Sequence, residues 1–76
     1  QLVPNAVQQA LYVLVEGVQT VPVRFEIIDC LGQVVRAQVG ETNRQEALAM
    51  HEASAGLYII RIYTPHTVIT RQVVKQ

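Results

Sequence analysis

The side chains best suited to covalent chemistry are Ser54 and His51, which lie three residues apart and could pair a nucleophile with a base. Such a pair also needs a third group to orient the base, and often a Gly-x-Ser-x-Gly turn that exposes the nucleophile. The sequence has no such turn, and its only Asp, Asp29, is remote from both residues. We therefore interpret Ser54 as a small turn residue and predict no catalytic residue and no enzyme activity.

Metal and cofactor sites are equally unsupported by the spacing of ligand-type residues. His51 and His66 are far apart, and neither has a Cys or His at ligand spacing. Cys30 is the only Cys, so it cannot form an internal disulfide. Lipidation, oxidation or a bond to another chain remain open to it, although a small residue in a variable turn is the simpler interpretation. We predict no metal and no cofactor.

Composition bounds the class of protein and the kinds of partner. Half of the 76 residues are hydrophobic, 16% are charged, and the formal net charge is zero. This predicts one folded domain over residues 1–76 and not a disordered tail. A neutral chain has no basic field for nucleic acid, and no apolar run approaches the roughly 18 residues of a membrane span. We expect neither nucleic-acid binding nor direct membrane insertion.

The elements that must position these residues read as short strands. Runs rich in Val and Ile are broken by Gly, Pro and Asn at intervals of about 8–12 residues, which is typical of an all-β sandwich or barrel. Residues 45–50 suit either helix or strand by composition, and we favour strand. The predicted strands are 9–16, 23–27, 33–39, 45–50, 57–63 and 67–75. About six or seven antiparallel strands fit a small immunoglobulin-like β-sandwich, without the Cys and Trp of true immunoglobulin domains.

Turn residues and the final hairpin carry further expectations. Asp29 should accept hydrogen bonds from backbone N–H groups in a tight turn, and Gly32 should take a positive φ in that turn. Gly56 should also take a positive φ, just before the 57–63 strand. Tyr58 should lie in the core with its hydroxyl bonded, and one of the adjacent pair Val73 and Val74 should fill the core.

Four segments of the chain stand out by their order and position. They are Val3-Pro4-Asn5-Ala6 before an apolar strand, the run from Phe25 to Val35, Leu48-Ala49-Met50 followed by Ala55-Gly56-Leu57-Tyr58, and Arg71-Gln72-Val73-Val74-Lys75. Together they resemble the C-terminal sorting domain of the type IX (Por) secretion system. Their order and position match the family over nearly the whole chain. Ala6 replaces the family's second Pro, and Ala53 stands where the family usually has Leu.

This resemblance implies a non-enzymatic sorting signal. Its parent protein would be exported, pass through the periplasm, and be carried by an outer-membrane translocon to the outer membrane and cell surface, or be secreted. In many members a sortase-like surface protease then removes the domain. The alternative function that the residues leave open is a generic immunoglobulin-like adhesive or spacer module of a larger surface protein.

Recognition by the secretion machinery is assigned to Arg71, Gln72, Val73, Val74 and Lys75, while Pro4, Asn5, Asp29, Gly32, Gly56 and Tyr58 are given structural or motif roles. The last strand is apolar and carries basic residues near its end. It is expected to pair with one neighbouring strand only, which would leave a free edge for strand addition to a receptor. The same edge predicts a homodimer.

Overall fold

Seven β-strands make up the secondary structure that the computed structural model describes, over residues 6–7, 9–50 and 53–76. Within these ranges there is no helix, and hence none long and apolar enough to cross a membrane. Pro4, Asn5 and His51 lie outside them. The strands are β1 (Ala6–Val7), β2 (Ala10–Val13), β3 (Pro22–Ile28), β4 (Val34–Glu41), β5 (Glu46–Ala49), β6 (Gly56–Tyr63) and β7 (Val68–Lys75).

The strands form two sheets, one large and one small. The large sheet has five strands in the order β1-β7-β6-β3-β4, and the small sheet consists of β2 and β5. All pairs are antiparallel except β1 and β7, which run parallel over a short stretch. In an immunoglobulin domain the last strands likewise lie beside the C strand in one sheet while B and E pair in the other. The fold is a small immunoglobulin-like β-sandwich, as the sequence predicts.

Alternation along the strands determines which side chains enter the core. In β3, Val23, Phe25 and Ile27 are all at most 3% exposed, while Arg24 between them is exposed. The small sheet covers this face of the large sheet with Leu11 and Leu48, which are opposite each other in register. The core consists of Leu11, Val13, Val15, Val23, Phe25, Ile27, Leu48, Met50, Tyr58, Ile60, Ile62 and Val73.

The first long strand is shorter than the sequence predicts. β2 covers only residues 10–13 of the predicted 9–16 strand, and Tyr12 on its outward face is 49% exposed. The reason is that the small sheet packs on the large sheet through one face only. The choice of strand over helix for residues 45–50 is confirmed by β5.

The strand β4 turns its apolar side chains away from the core. Gln38 pairs with Phe25 and so shares its inner face, whereas Val39 pairs with the exposed Arg24 on the outer face. Val39 is accordingly 75% exposed. A register shift between Ile27 and Ile28 marks a bulge at the start of β4. The alternation of β4 is visible in the sequence, but the sequence does not indicate which face of this strand is buried.

Candidate functional site

The hairpin of β6 and β7 brings the Gly56–Tyr58 motif directly against the predicted recognition residues. Gly56 pairs with Lys75, Leu57 with Val74 and Tyr58 with Val73. The sequence suggests two separate features, one that builds the fold and one that is recognised. The register shows that they are the two paired ends of one hairpin.

Glycine at two positions follows from backbone conformation. Gly32 has a φ of 85° and Gly56 a φ of 152°, and a Cβ at either position would meet nothing within 4 Å. Conformation, not crowding, therefore requires glycine here. Beside Gly32, Asp29 Oδ1 accepts hydrogen bonds from the N–H groups of Leu31 and Gln33, both at 2.9 Å. Asp29 thus organises the turn that joins β3 to β4.

Tyr58 closes the start of β6 on the preceding turn. Its ring is 7% exposed, and its hydroxyl donates a 2.6 Å hydrogen bond to the carbonyl oxygen of Ser54. The Ser54 side chain itself lies in the exposed 54–57 stretch, and His51, with which it could have formed a nucleophile–base pair, is outside the described residues. What the structure assigns to Ser54 is a backbone acceptor for Tyr58.

The five recognition residues divide into one anchor and four surface or partly exposed side chains. Val73 is fully buried at 0% exposure, whereas Val74 is 42% exposed and Arg71 and Gln72 lie at the surface. Arg71 and Lys75 donate only to backbone carbonyls next to them in sequence, those of Thr70 and Gln76. Neither forms an ion pair with any acid in the described part of the chain. Both cations are therefore available to a partner.

The edge of β7 is not as open as the sequence suggests. β1 runs parallel to β7, with Ala6 opposite Val74 and Val7 opposite Lys75. The expectation that the last strand pairs with one neighbour only is therefore wrong at its C-terminal end. An added receptor strand would have to displace β1 there, so side chains are better placed than the backbone edge to make contact.

A polar network occupies the middle of the outer face of the large sheet. The Tyr63 hydroxyl donates to Glu26 Oε1 at 2.9 Å, and Arg24 forms an ion pair with the same carboxylate at 3.1 Å. Arg61 lies opposite Glu26 in register and 3.5 Å from the Tyr63 hydroxyl. A hydrogen bond to Tyr63 raises the pKa of Arg61, as the nearby Glu26 charge does to a lesser degree, so Arg61 stays charged. Alternation along β6 places Tyr63 on the outer face, but no pattern in the sequence indicates this network.

Two open clefts lie at opposite ends of the sandwich, and neither gathers catalytic groups. One, of about 310 Å³, is bordered by Asp29, Arg36 and Tyr58. The other, of about 420 Å³, lies between the 15–21 loop and the turn containing His66. No cluster of three or more His, Cys, Asp or Glu side chains that could hold a metal occurs within residues 6–7, 9–50 and 53–76. Cys30 is a free, exposed thiol.

Comparison with known families decides between the two functions that the sequence leaves open. The family model described as the secretion system C-terminal sorting domain matches residues 1–76, the entire chain. A search of curated proteins finds no match to this chain. The chain belongs to this family of type IX sorting domains, non-enzymatic signals that direct the proteins carrying them to the cell surface or out of the cell.

Proposed function

We propose that the outer-membrane translocon of the type IX system reads this domain in its folded state, through the exposed side chains of the 71–75 segment. The observation that carries the proposal is the division of this segment. Val73 is fully buried, while Arg71 and Gln72 beside it are exposed. Binding through the exposed side chains then depends on a strand that the core holds in place.

The charge of the segment supports a receptor contact. Arg71 and Lys75 are cations without an acidic partner among the described residues, in a chain whose net charge is zero. An acidic receptor surface would gain two ion pairs without breaking any in the domain. Since rim charges act mainly on the association rate, they suit a signal that must capture a receptor while passing through the periplasm.

Two further steps complete the proposal. A sortase-like surface protease removes the domain after transport, so the domain itself needs no catalytic group.

A homodimer through the β7 edge would compete with β1 for the pairing of Val74 and Lys75. Dimerisation would therefore require β1 to give way.

The test is a fusion of residues 1–76 to the C-terminus of a periplasmic reporter in a bacterium with an active type IX system. We expect the reporter at the cell surface or in the medium. Retention of the reporter in the periplasm would overturn the proposal.

A matched pair of variants tests the assigned residues. Arg71→Ala/Gln72→Ala removes a cation and an amide from the recognition segment, and Arg36→Ala/Gln33→Ala removes the same two groups from an exposed part of the turn and β4. We expect the first variant to reduce surface delivery and the second to leave it unchanged, with both domains folded. Adding Lys75→Ala to the first variant should reduce delivery further. Equal delivery by all variants would show that this segment is not read.

A further inference from the structure

An apolar row crosses the outer face of the large sheet near the end that carries the recognition segment. In register, Val34 of β4 lies opposite Ile28 of β3, and Ile28 lies opposite Ile59 of β6. Two residues before Ile59 on the same face, Leu57 lies opposite Val74 of β7. We call Val34, Ile28, Ile59, Leu57 and Val74 the apolar strip.

The apolar strip is not part of the core. Its neighbours in sequence, Ile27, Ile60 and Val73, point inward and are at most 1% exposed. Ile28 is 6% exposed and does not belong to the core cluster. Three members on three different strands remain open to water: Val34 at 51%, Leu57 at 49% and Val74 at 42%.

This arrangement costs free energy in the isolated domain, because apolar side chains that are neighbours across strands stay hydrated together. With strands about 4.8 Å apart, a row across four strands extends about 15 Å, the scale of a contact patch and not of a single stray side chain. Val74 belongs both to this row and to the proposed recognition segment. The apolar strip is therefore continuous with Gln72 and Val74 of that segment, which share its face, whereas Arg71 and Lys75 alternate to the face of Val73.

We propose that the apolar strip is the hydrophobic half of the receptor-docking surface, covered by a protein of the translocon that presents an apolar ridge with acidic side chains beside it. The inference rests on the proposed function and names the chemistry of its partner. The acidic character follows from the charges next to the strip. In the middle of this face, Arg24 and Arg61 against the single carboxylate of Glu26 leave a charge of +1 (2 − 1), and Glu41 farther along the face is already paired with Arg44.

The same charge disfavours two other occupants. A second copy stacked face to face would bring the excess arginine charge at the centre of one face against that of the other. A lipid surface would need a basic field, and the whole chain has a net charge of zero. A protein with carboxylates around an apolar ridge satisfies both the strip and the arginines.

The experiment compares two double variants of the same chemistry in the reporter fusion. Val34→Thr/Leu57→Thr makes the strip polar, and Val18→Thr/Leu31→Thr changes the same residue types at positions that are 104% and 79% exposed and lie outside it. We expect a several-fold loss of surface reporter for the first variant and none for the second, with equal urea midpoints for the two purified domains. Arg24→Glu/Arg61→Glu should lower delivery as well.

The outcomes separate this inference from the proposed function. Periplasmic retention of the unchanged fusion would defeat the proposed function itself. Normal delivery of the unchanged fusion and of Val34→Thr/Leu57→Thr would defeat only the apolar strip. Sedimentation that shows a dimer lost in this variant would assign the strip to a second copy, and flotation with vesicles of anionic phospholipid lost in this variant would assign it to lipid. Either result overturns the inference.

Discussion

The side-chain amide of Asn43 pairs with the backbone of Gly17 as a neighbouring strand would. The N–H of Gly17 donates to Asn43 Oδ1 at 2.9 Å, and Asn43 Nδ2 donates to the Gly17 carbonyl oxygen at 3.0 Å. The backbone N–H of Asn43 also donates to the carbonyl of Val15 at 2.7 Å. Since β2 ends at Val13, these bonds hold the chain where regular pairing has stopped.

The first prediction is that Asn43→Ala destabilises the domain by about 1–2 kcal/mol, the sum of lost hydrogen bonds and a left-handed conformation that Ala disfavours. Asn43 has a φ of 62°, so Asn43→Gly removes the bonds without the conformational cost. Urea unfolding of the isolated domain measures both variants. Equal stability of Asn43→Ala and the unchanged domain would show that the amide does not hold the loop.

The hydrogen bonds between Asn43 and Gly17 also show what the sequence alone could not predict. Four strands of the large sheet, β3, β4, β6 and β7, follow from the alternation of apolar residues, because a buried face imposes a period of two on the chain, whereas the sequence does not predict β1. The pairing of Asn43 with Gly17 joins residues 26 positions apart through a side chain. No periodicity records such a contact, and residues 40–44, which lie between two predicted strands, show only a glycine and polar side chains.

The second prediction concerns Gly40, where β4 passes beneath the side chain of Glu46. A Cβ on Gly40 would lie 2.5 Å from Glu46 Cδ, so Gly40→Ala should destabilise the domain by about 1–3 kcal/mol through overpacking. Chemical unfolding measures the loss, with Gly17→Ala as the control because the nearest atom to a Cβ there is 3.4 Å away.

Glu46 gives this second prediction an internal check. Its carboxylate is held by the N–H of Glu41 at 3.0 Å and by Arg44 Nε at 2.9 Å, so Glu46→Ala alone should also destabilise the domain. In Gly40→Ala/Glu46→Ala the clash is absent, and the double variant should be more stable than the sum of the single effects. Strict additivity would contradict a direct conflict between the two positions.

Gly40 and the edge of β7 show why the candidate site was only partly visible in sequence. A glycine within a strand can signal close approach of another group, but nothing in the sequence names Glu46 as that group. The pairing of Gly56 with Lys75 follows from a tight hairpin, and is within reach of sequence reasoning. The parallel pairing of Ala6 with Val74 is not, because it joins the two ends of the chain without a connecting pattern.

The third prediction is that Tyr58→Phe costs about 1 kcal/mol, because the ring keeps its packing while the Ser54 carbonyl loses its donor. The hydroxyl makes a short bond of 2.6 Å at a ring that is 7% exposed. Tyr12→Phe is the matched control, since that ring is 49% exposed. Thermal unfolding of the two variants should separate them, and a Tyr58→Phe midpoint equal to that of Tyr12→Phe would argue against a structural role for the bond.

The fourth prediction separates folding from recognition within the last strand. Val73→Ala empties part of the core and should cost about 2 kcal/mol, whereas Val74→Ala should cost less than about 1 kcal/mol because that side chain is 42% exposed. If the translocon reads a folded domain, Val73→Ala should be delivered normally below its own unfolding midpoint and fail above it. Val74→Ala should instead reduce delivery at every temperature, because it removes part of the contact surface itself.

The two valines are adjacent and chemically identical, so each serves as the other's control. Reporter delivery at several growth temperatures, set against the unfolding midpoints of the purified domains, makes the comparison. Should Val73→Ala fail while the domain is still folded, its side chain would have to be read directly, in an unfolded or partly opened state. That outcome would mean that the receptor recognises the sequence of the segment and not the folded domain, because a side chain at 0% exposure cannot contact a receptor in the native domain.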